Sequence, residues 1–194
     1  MTRDLEIITT IFKDLSFTQE ESQLLVRSFE KLHLPKHSLL LEAGQHVYDQ
    51  YYVAEGCLRT YYIAPDGKEH TVQFAIQDWW ISDYTAFFNS STASMHIECI
   101  QDATLFKISK VDMELLYKAM PRIESYFRKK MERAFASFQK RIIANLSQSA
   151  TERYLNFINT YPNIEQNVKN YHIASYLGVT TQSLSRIRKE LVQG

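Results

Sequence analysis

The chain has 194 residues, 45% of them hydrophobic and 13% aromatic, which suffices for one large or two small cored domains and excludes a mainly disordered protein. Its 22 Lys and Arg balance 22 Asp and Glu, which excludes the uniformly basic surface that coats nucleic acid by charge alone. The balance hides an asymmetry: residues 1–118 hold 10 basic and 17 acidic side chains and residues 119–194 hold 12 and 5, so the two parts are expected to meet different partners.

Two cysteines, Cys57 and Cys99, make neither a disulfide framework nor a CxxC pair, as expected of a reduced intracellular protein. The N-terminus carries Asp4 and Glu6 where a signal peptide has its apolar core. No apolar run approaches the roughly 20 residues of a membrane span, so no membrane partner and a cytoplasmic location are expected.

In chain order, Leu5, Ile8, Ile11, Phe12 and Leu15 form one helical stripe. Thr18 to Glu21 reads as a capping box opening a second helix through Leu24, Leu25, Phe29 and Leu32. At Leu34-Pro35 the apolar period changes to two. From His37 to about Ser109, short runs rich in Tyr, Val and Ile, broken at Gly44, Gly56 and Gly67, predict an antiparallel β-roll. After Pro121 the helical period returns, with Ile123, Phe127, Met131, Phe135, Phe138, Ile142 and Leu146 along one stripe. Its length predicts a seam with a second copy of the chain, the dimerisation residues being Ile123, Phe127, Met131, Phe135, Phe138 and Ile142. Ser149 to Glu152 reads as another capping box, and Tyr161-Pro162-Asn163 ends the helix it opens. The expected organisation is a β-roll effector domain at 1–118, a dimerisation helix at 119–147 and a helical domain at 148–194.

The stretch 171–189 has helix-turn-helix spacing. Ala174 is small where two helices cross, Gly178 can take the left-handed conformation that ends the first, and Val179 fits the angle between them. Thr180 can cap the second helix, with Leu184, Ile187 and Leu191 facing inward. Its other face presents Thr181, Gln182, Ser183, Ser185, Arg186, Arg188 and Lys189. Gln182 and Arg186 are the candidates for base edges, and Thr181, Ser183, Arg188 and Lys189 for phosphates. Double-stranded DNA is the expected partner.

Placed behind a β-roll and a long helix, this motif makes the chain resemble the Crp/Fnr family of bacterial transcription regulators, over residues 34–191 and including the glycine turns of the roll. The resemblance implies an α+β fold: N-terminal helices with an antiparallel, cyclic-nucleotide-binding-like β-roll, a dimerising helix, and a C-terminal all-α helix-turn-helix domain. It also implies promoter binding as a homodimer, contact with RNA polymerase and a small-molecule effector. In cyclic-nucleotide binders of this fold a Gly-Glu pair and an Arg-Ser pair hold the ribose and the phosphate. Here the matching stretches are Ser82-Asp83 and Ala93-Ser94, so cyclic AMP is not the expected ligand. Trp80, Ser82, Asp83, Tyr84 and Ser94 are the residues expected to line an effector pocket. Thr181-Gln182 replaces the family's frequent Arg-Glu pair in the recognition helix, and the sequence stops at Gly194, where a β-hairpin wing would follow.

Two other classes deserve comparison. A cupin-like metal enzyme would need a His-x-His pair with further ligands, which His33, His37, His46, His70, His96 and His172 do not form; no GxSxG, P-loop or HExxH occurs either. A β-roll that binds protein without DNA is the other alternative, and the cations of the last helix weigh against it. Neither an enzymatic activity nor a cofactor is expected.

Overall fold

A computed structural model describes residues 8–162 and 164–193. Leu5, at the head of the predicted first stripe, lies outside them; residues 8–11 are helical. Helix α1 (Gln19–Ser28) starts on the predicted capping box, with Glu21 N donating to Thr18 Oγ1 at 3.2 Å and Thr18 N donating to Glu21 Oε2 at 2.8 Å. It ends at Phe29, whose backbone is extended, and strand β1 (Glu30–Leu34) follows directly. The change to strand therefore falls ahead of Leu34, and Leu32 is a strand residue. Pairing decides this: β1 lies antiparallel to β8 (Ala103–Ser109) with Leu32 opposite Leu105, a cross-strand contact that a longer helix would forfeit.

The remaining strands are β2 (Leu39–Leu41), β3 (Asp49–Glu55), β4 (Leu58–Ile63), β5 (Glu69–Ala75), β6 (Trp80–Ile81) and β7 (His96–Cys99). They form two four-stranded sheets in the orders β1-β8-β3-β6 and β2-β7-β4-β5, the antiparallel roll that the period-two pattern predicts. A short helix, α2 (Tyr84–Asn89), interrupts the strand region. The sequence reading missed it; Asp83 caps it. Helix α3 (Lys110–Ala119) is capped by Ser109 and breaks at Met120, and α4 (Pro121–Ser147) begins on a proline, whose fixed φ suits the first helical position. Helix α5 (Ala150–Thr160) starts on the predicted Ser149–Glu152 capping box. A 3₁₀ turn (Ile164–Gln166), α6 (Asn170–Leu177) and α7 (Thr181–Gln193) complete the chain.

The chain divides into two compact units, one comprising Met1–Thr60 with Phe74–Glu132, the other Tyr61–Gln73 with Arg133–Gly194. In the first, the core joins Leu25, Phe87, Ile97, Leu105 and Phe106 to an aromatic cluster in which Phe12 meets Tyr126 and Trp80 meets Phe127, with ring centroids 4.9 and 4.8 Å apart. Burial pushes the Cys57 thiol up to about 12 and the Cys99 thiol up to about 11, so both stay protonated and unreactive at neutral pH. In the second, residues 61–73, the tip of the β4–β5 hairpin, lie on the helices. Ser175 Oγ on α6 accepts from Thr71 N at 2.8 Å and donates to Glu69 O at 2.9 Å, while the Arg141 guanidinium donates to Val72 O.

Gly44, Gly56 and Gly67 all have positive φ, as their turn positions predict, but only one of them is also crowded. A Cβ on Gly56 would sit 2.3 Å from Asp102 O and 2.8 Å from Ala103 Cα, whereas one on Gly67 would meet nothing. Gly56→Ala is therefore expected to cost about 2–4 kcal/mol, strain and clash together, against about 1 kcal/mol for Gly67→Ala. Urea unfolding of the two variants checks the ratio; equal costs would contradict the close approach.

Candidate functional site

Helix α6 is closed by Gly178 in the left-handed conformation (φ 67°), whose N–H bonds the Ser175 carbonyl at 3.2 Å, and Val179 N–H reaches back to Ala174 O at 3.0 Å. Ala174 is buried and Val179 half-buried at the bend. Thr180 then caps α7: its Oγ1 accepts from Ser183 N at 3.1 Å and donates to Ser183 Oγ at 3.0 Å. Leu184 and Ile187 are buried as predicted, but Leu191 is exposed, as is Val192 beside it.

A helix turns about 100° per residue, so Thr181, Gln182, Ser185, Arg186 and Lys189 fall within an arc of about 140°. All five are exposed. Arg186 stands free enough to be aimed, 74% exposed and 3.8 Å from Glu190, a distance at which solvent screens the pair. Ser183 is half-buried, and its amide and hydroxyl are engaged by the cap.

Arg188 is placed differently from the other cations of α7. Its guanidinium turns inward, with Nη2 2.6 Å from Glu165 Oε1, Nη1 2.7 Å from Asn170 Oδ1 and Nε 3.2 Å from Tyr154 Oη. Tyr154 in turn donates to Glu165 at 2.5 Å, and burial, with that hydrogen bond second, raises its phenol above the usual value. This network pins α7 to α5 and α6. Arg153 does similar work, donating from Nη1 to Gln148 O and from Nε to Leu177 O at the end of α6. Sequence reasoning missed Tyr154, Glu165 and Asn170, since no spacing ties them to Arg188 across the chain.

On α4 the predicted seam divides. Ile123 and Phe127 are buried within the roll unit and are thereby withdrawn from a surface seam. Met131 and Phe138 are half-buried, whereas Phe135, Ile142 and Leu146 are 72%, 58% and 83% exposed. Helix geometry explains the split: taking Ile123 as zero, Phe127, Phe138 and Met131 lie at about 40°, 60° and 80°, and Ile142, Phe135 and Leu146 at about 100°, 120° and 140°.

The five residues expected to line an effector pocket are all engaged within the roll. Trp80 packs edge-on against Tyr52 and Phe127. Ser82 Oγ donates to Asp49 O at 2.9 Å. Tyr84 stacks on Phe88 at 5.6 Å with its hydroxyl buried and unpartnered, and burial raises that phenol above its ordinary value. Asp83 and Ser94 bond one another. Among the described residues, no group of three or more His, Cys, Asp or Glu is placed to hold a metal ion, and no helix is long and apolar enough to cross a membrane.

Residues 31–119 match the cyclic nucleotide-binding domain family. No curated protein matches the chain. Among solved structures, the chain is similar to the c-di-GMP-responsive global regulator CLP of Xanthomonas campestris, at 14% identity and a TM-score of 0.72, covering 91% of this chain and 92% of that one. It is likewise similar to FixK2 of Bradyrhizobium japonicum, at 14% identity and a TM-score of 0.75 over 85% of each chain. A transcriptional regulator of the Crp/Fnr family from Eubacterium rectale aligns at 19% identity and a TM-score of 0.71, covering 96% of this chain and 88% of that one.

The inward network around Arg188 makes a stability prediction. Arg188→Ala and Glu165→Ala are each expected to cost about 1 kcal/mol, since the pair is partly exposed. The double variant should cost less than the sum of the two. Chemical denaturation of the three variants measures this coupling, and strictly additive losses would mean that the pair does not act as a unit.

Proposed function

We propose that this chain, which has the fold of the Crp/Fnr transcription regulators and a cyclic nucleotide-binding-like domain at residues 31–119, is a homodimeric, sequence-specific DNA-binding regulator of that type. The observation that carries the reading is the α6–α7 pair, with its left-handed Gly178, its Thr180 cap and five exposed polar or cationic residues on one face of α7. Arg186 and Gln182 are the residues for base edges; Thr181, Ser185 and Lys189 are those for the backbone. Thr180 and Ser183 build the cap, from which helix-end amides point toward a phosphate. Arg188 holds the helix in place from within.

The dimer forms through Phe135, Ile142 and Leu146, whose steps of seven and four along α4 are those of a coiled-coil seam, flanked by Met131 and Phe138. Burying the three exposed side chains at roughly 1.5–3 kcal/mol each gives a dimer that holds at micromolar concentration. Two α7 helices related by the dimer axis enter successive major grooves about 34 Å apart, so the operator is an inverted repeat. Promoter DNA and RNA polymerase are the partners, in the cytoplasm. The roll takes an effector other than cyclic AMP or works without one. No catalytic residue is assigned.

Selection of bound fragments from random DNA tests the reading directly, with an inverted repeat as the expected result; no enriched sequence would sink it. Arg186→Ala should cost on the order of 1–3 kcal/mol and relax preference at one position of each half-site, whereas Lys189→Ala should weaken all sequences alike and flatten the salt dependence. In sedimentation, Phe135→Asp with Ile142→Asp should give a folded monomer; a dimer that survives both would place the seam elsewhere.

A further inference from the structure

Asp83 is fully buried, and its carboxylate collects four donors from this chain. Oδ1 accepts from Ala86 N at 3.2 Å in the first turn of α2. Oδ2 accepts from Ser94 N at 2.9 Å, Ser94 Oγ at 3.1 Å and Met95 N at 3.3 Å. Three amides and a hydroxyl converging on one point make a nest of the kind that holds an oxyanion. Among the described residues Asp83 has no ion-pair partner, so these donors alone compensate its charge.

The segment held in this way is also tied down behind. Ala93 N donates to Gln45 O and Gly44 N donates to Ala93 O, both at 2.8 Å. A buried carboxylate thus joins the start of α2, the 93–95 turn and, through Ala93, the 44–45 turn. A ligand phosphate bound to the same amides would form these links from outside.

We propose that Asp83 is a resident anion, occupying the roll's own oxyanion nest so that the 83–95 segment is held in place with no bound ligand. Any cyclic nucleotide would have to bring a second negative charge to donors already taken, beside a buried carboxylate. The roll therefore rejects phosphate-bearing ligands at this point, and an effector, if one acts, is uncharged there or binds elsewhere. The nest becomes a binding site only when the carboxylate is removed, and the ligand it then takes is a small oxyanion. The inference concerns the roll alone and stands whether or not the helical unit binds DNA.

Chemical rescue tests it. Asp83→Ala leaves a space the size of formate, and its melting temperature should fall by several degrees and recover at least half the loss in about 50 mM sodium formate, relative to chloride at equal ionic strength. The wild type should melt alike in the two salts and should bind neither inorganic phosphate nor cyclic AMP at micromolar concentration. An Asp83→Ala protein as stable as the wild type, one indifferent to formate, or a wild type that binds cyclic AMP at micromolar concentration would each overturn the proposal. If Asp83→Ala does not fold, amide exchange in the wild type decides. Slow exchange at Ala86, Ser94 and Met95, with resonances unmoved by phosphate, supports a resident anion, and fast exchange or a phosphate-induced shift at those amides refutes it.

Discussion

The apolar positions of α4 recur at steps of four far more often than three, and a helix that advances about 100° per residue turns such a stripe steadily around its axis. That rotation is the constraint that decides which apolar residues of α4 are buried and which are exposed. The first turns bring Ile123 and Phe127 into the aromatic cluster with Phe12 and Trp80, while the later ones leave Phe135, Ile142 and Leu146 exposed. One continuous helix can thereby serve a core at one end and offer an apolar face at the other. A straight stripe would have forced a choice between them.

Much of this was legible in the sequence because it depends on short-range rules. The Thr18 and Ser149 capping boxes, the positive-φ glycines of the roll and the Ala174–Gly178–Val179 bend are each specified within a few residues, and each is where its spacing places it. The two sheets follow from the period-two runs. What escaped was set by distant partners: β1 starts at Glu30 because β8 lies beside it, and α2 exists because Asp83 finds donors eleven and twelve residues on as well as in the helix it caps. The helical stripe on α4 was visible, but a list of apolar positions does not reveal the angle between its ends.

The candidate sites divide along the same line. Polar residues on the outer face of α7 could be found by periodicity, since exposure there follows from the burial of Leu184 and Ile187. The effector corner could not be judged that way. Ser82, Asp83 and Ser94 have the composition of a polar pocket, and the difference between a pocket and a satisfied core is whether the donors meet a ligand or one another. Here Ser82 meets Asp49 and Ser94 meets Asp83.

The cationic excess of residues 119–194 is a poor measure of what DNA would feel. Arg141 is directed at the Val72 carbonyl and lies over the rings of Phe138 and Tyr176. Arg153 closes the end of α6, and Arg188 is neutralised by Glu165. These three guanidiniums stiffen the helical unit, a task that suits arginine because its planar fork can satisfy several carbonyl or carboxylate oxygens at once. On α7 the charge left for a phosphate or a base edge is that of Arg186 and Lys189. Counterion release scales with phosphates neutralised, so under the proposed reading such a surface would bind non-specific DNA weakly, and its discrimination would come from the few side chains that reach the bases. A rigid helix would then be a requirement of specificity, and an arginine turned inward, as Arg188 is, would serve such recognition as directly as one turned outward.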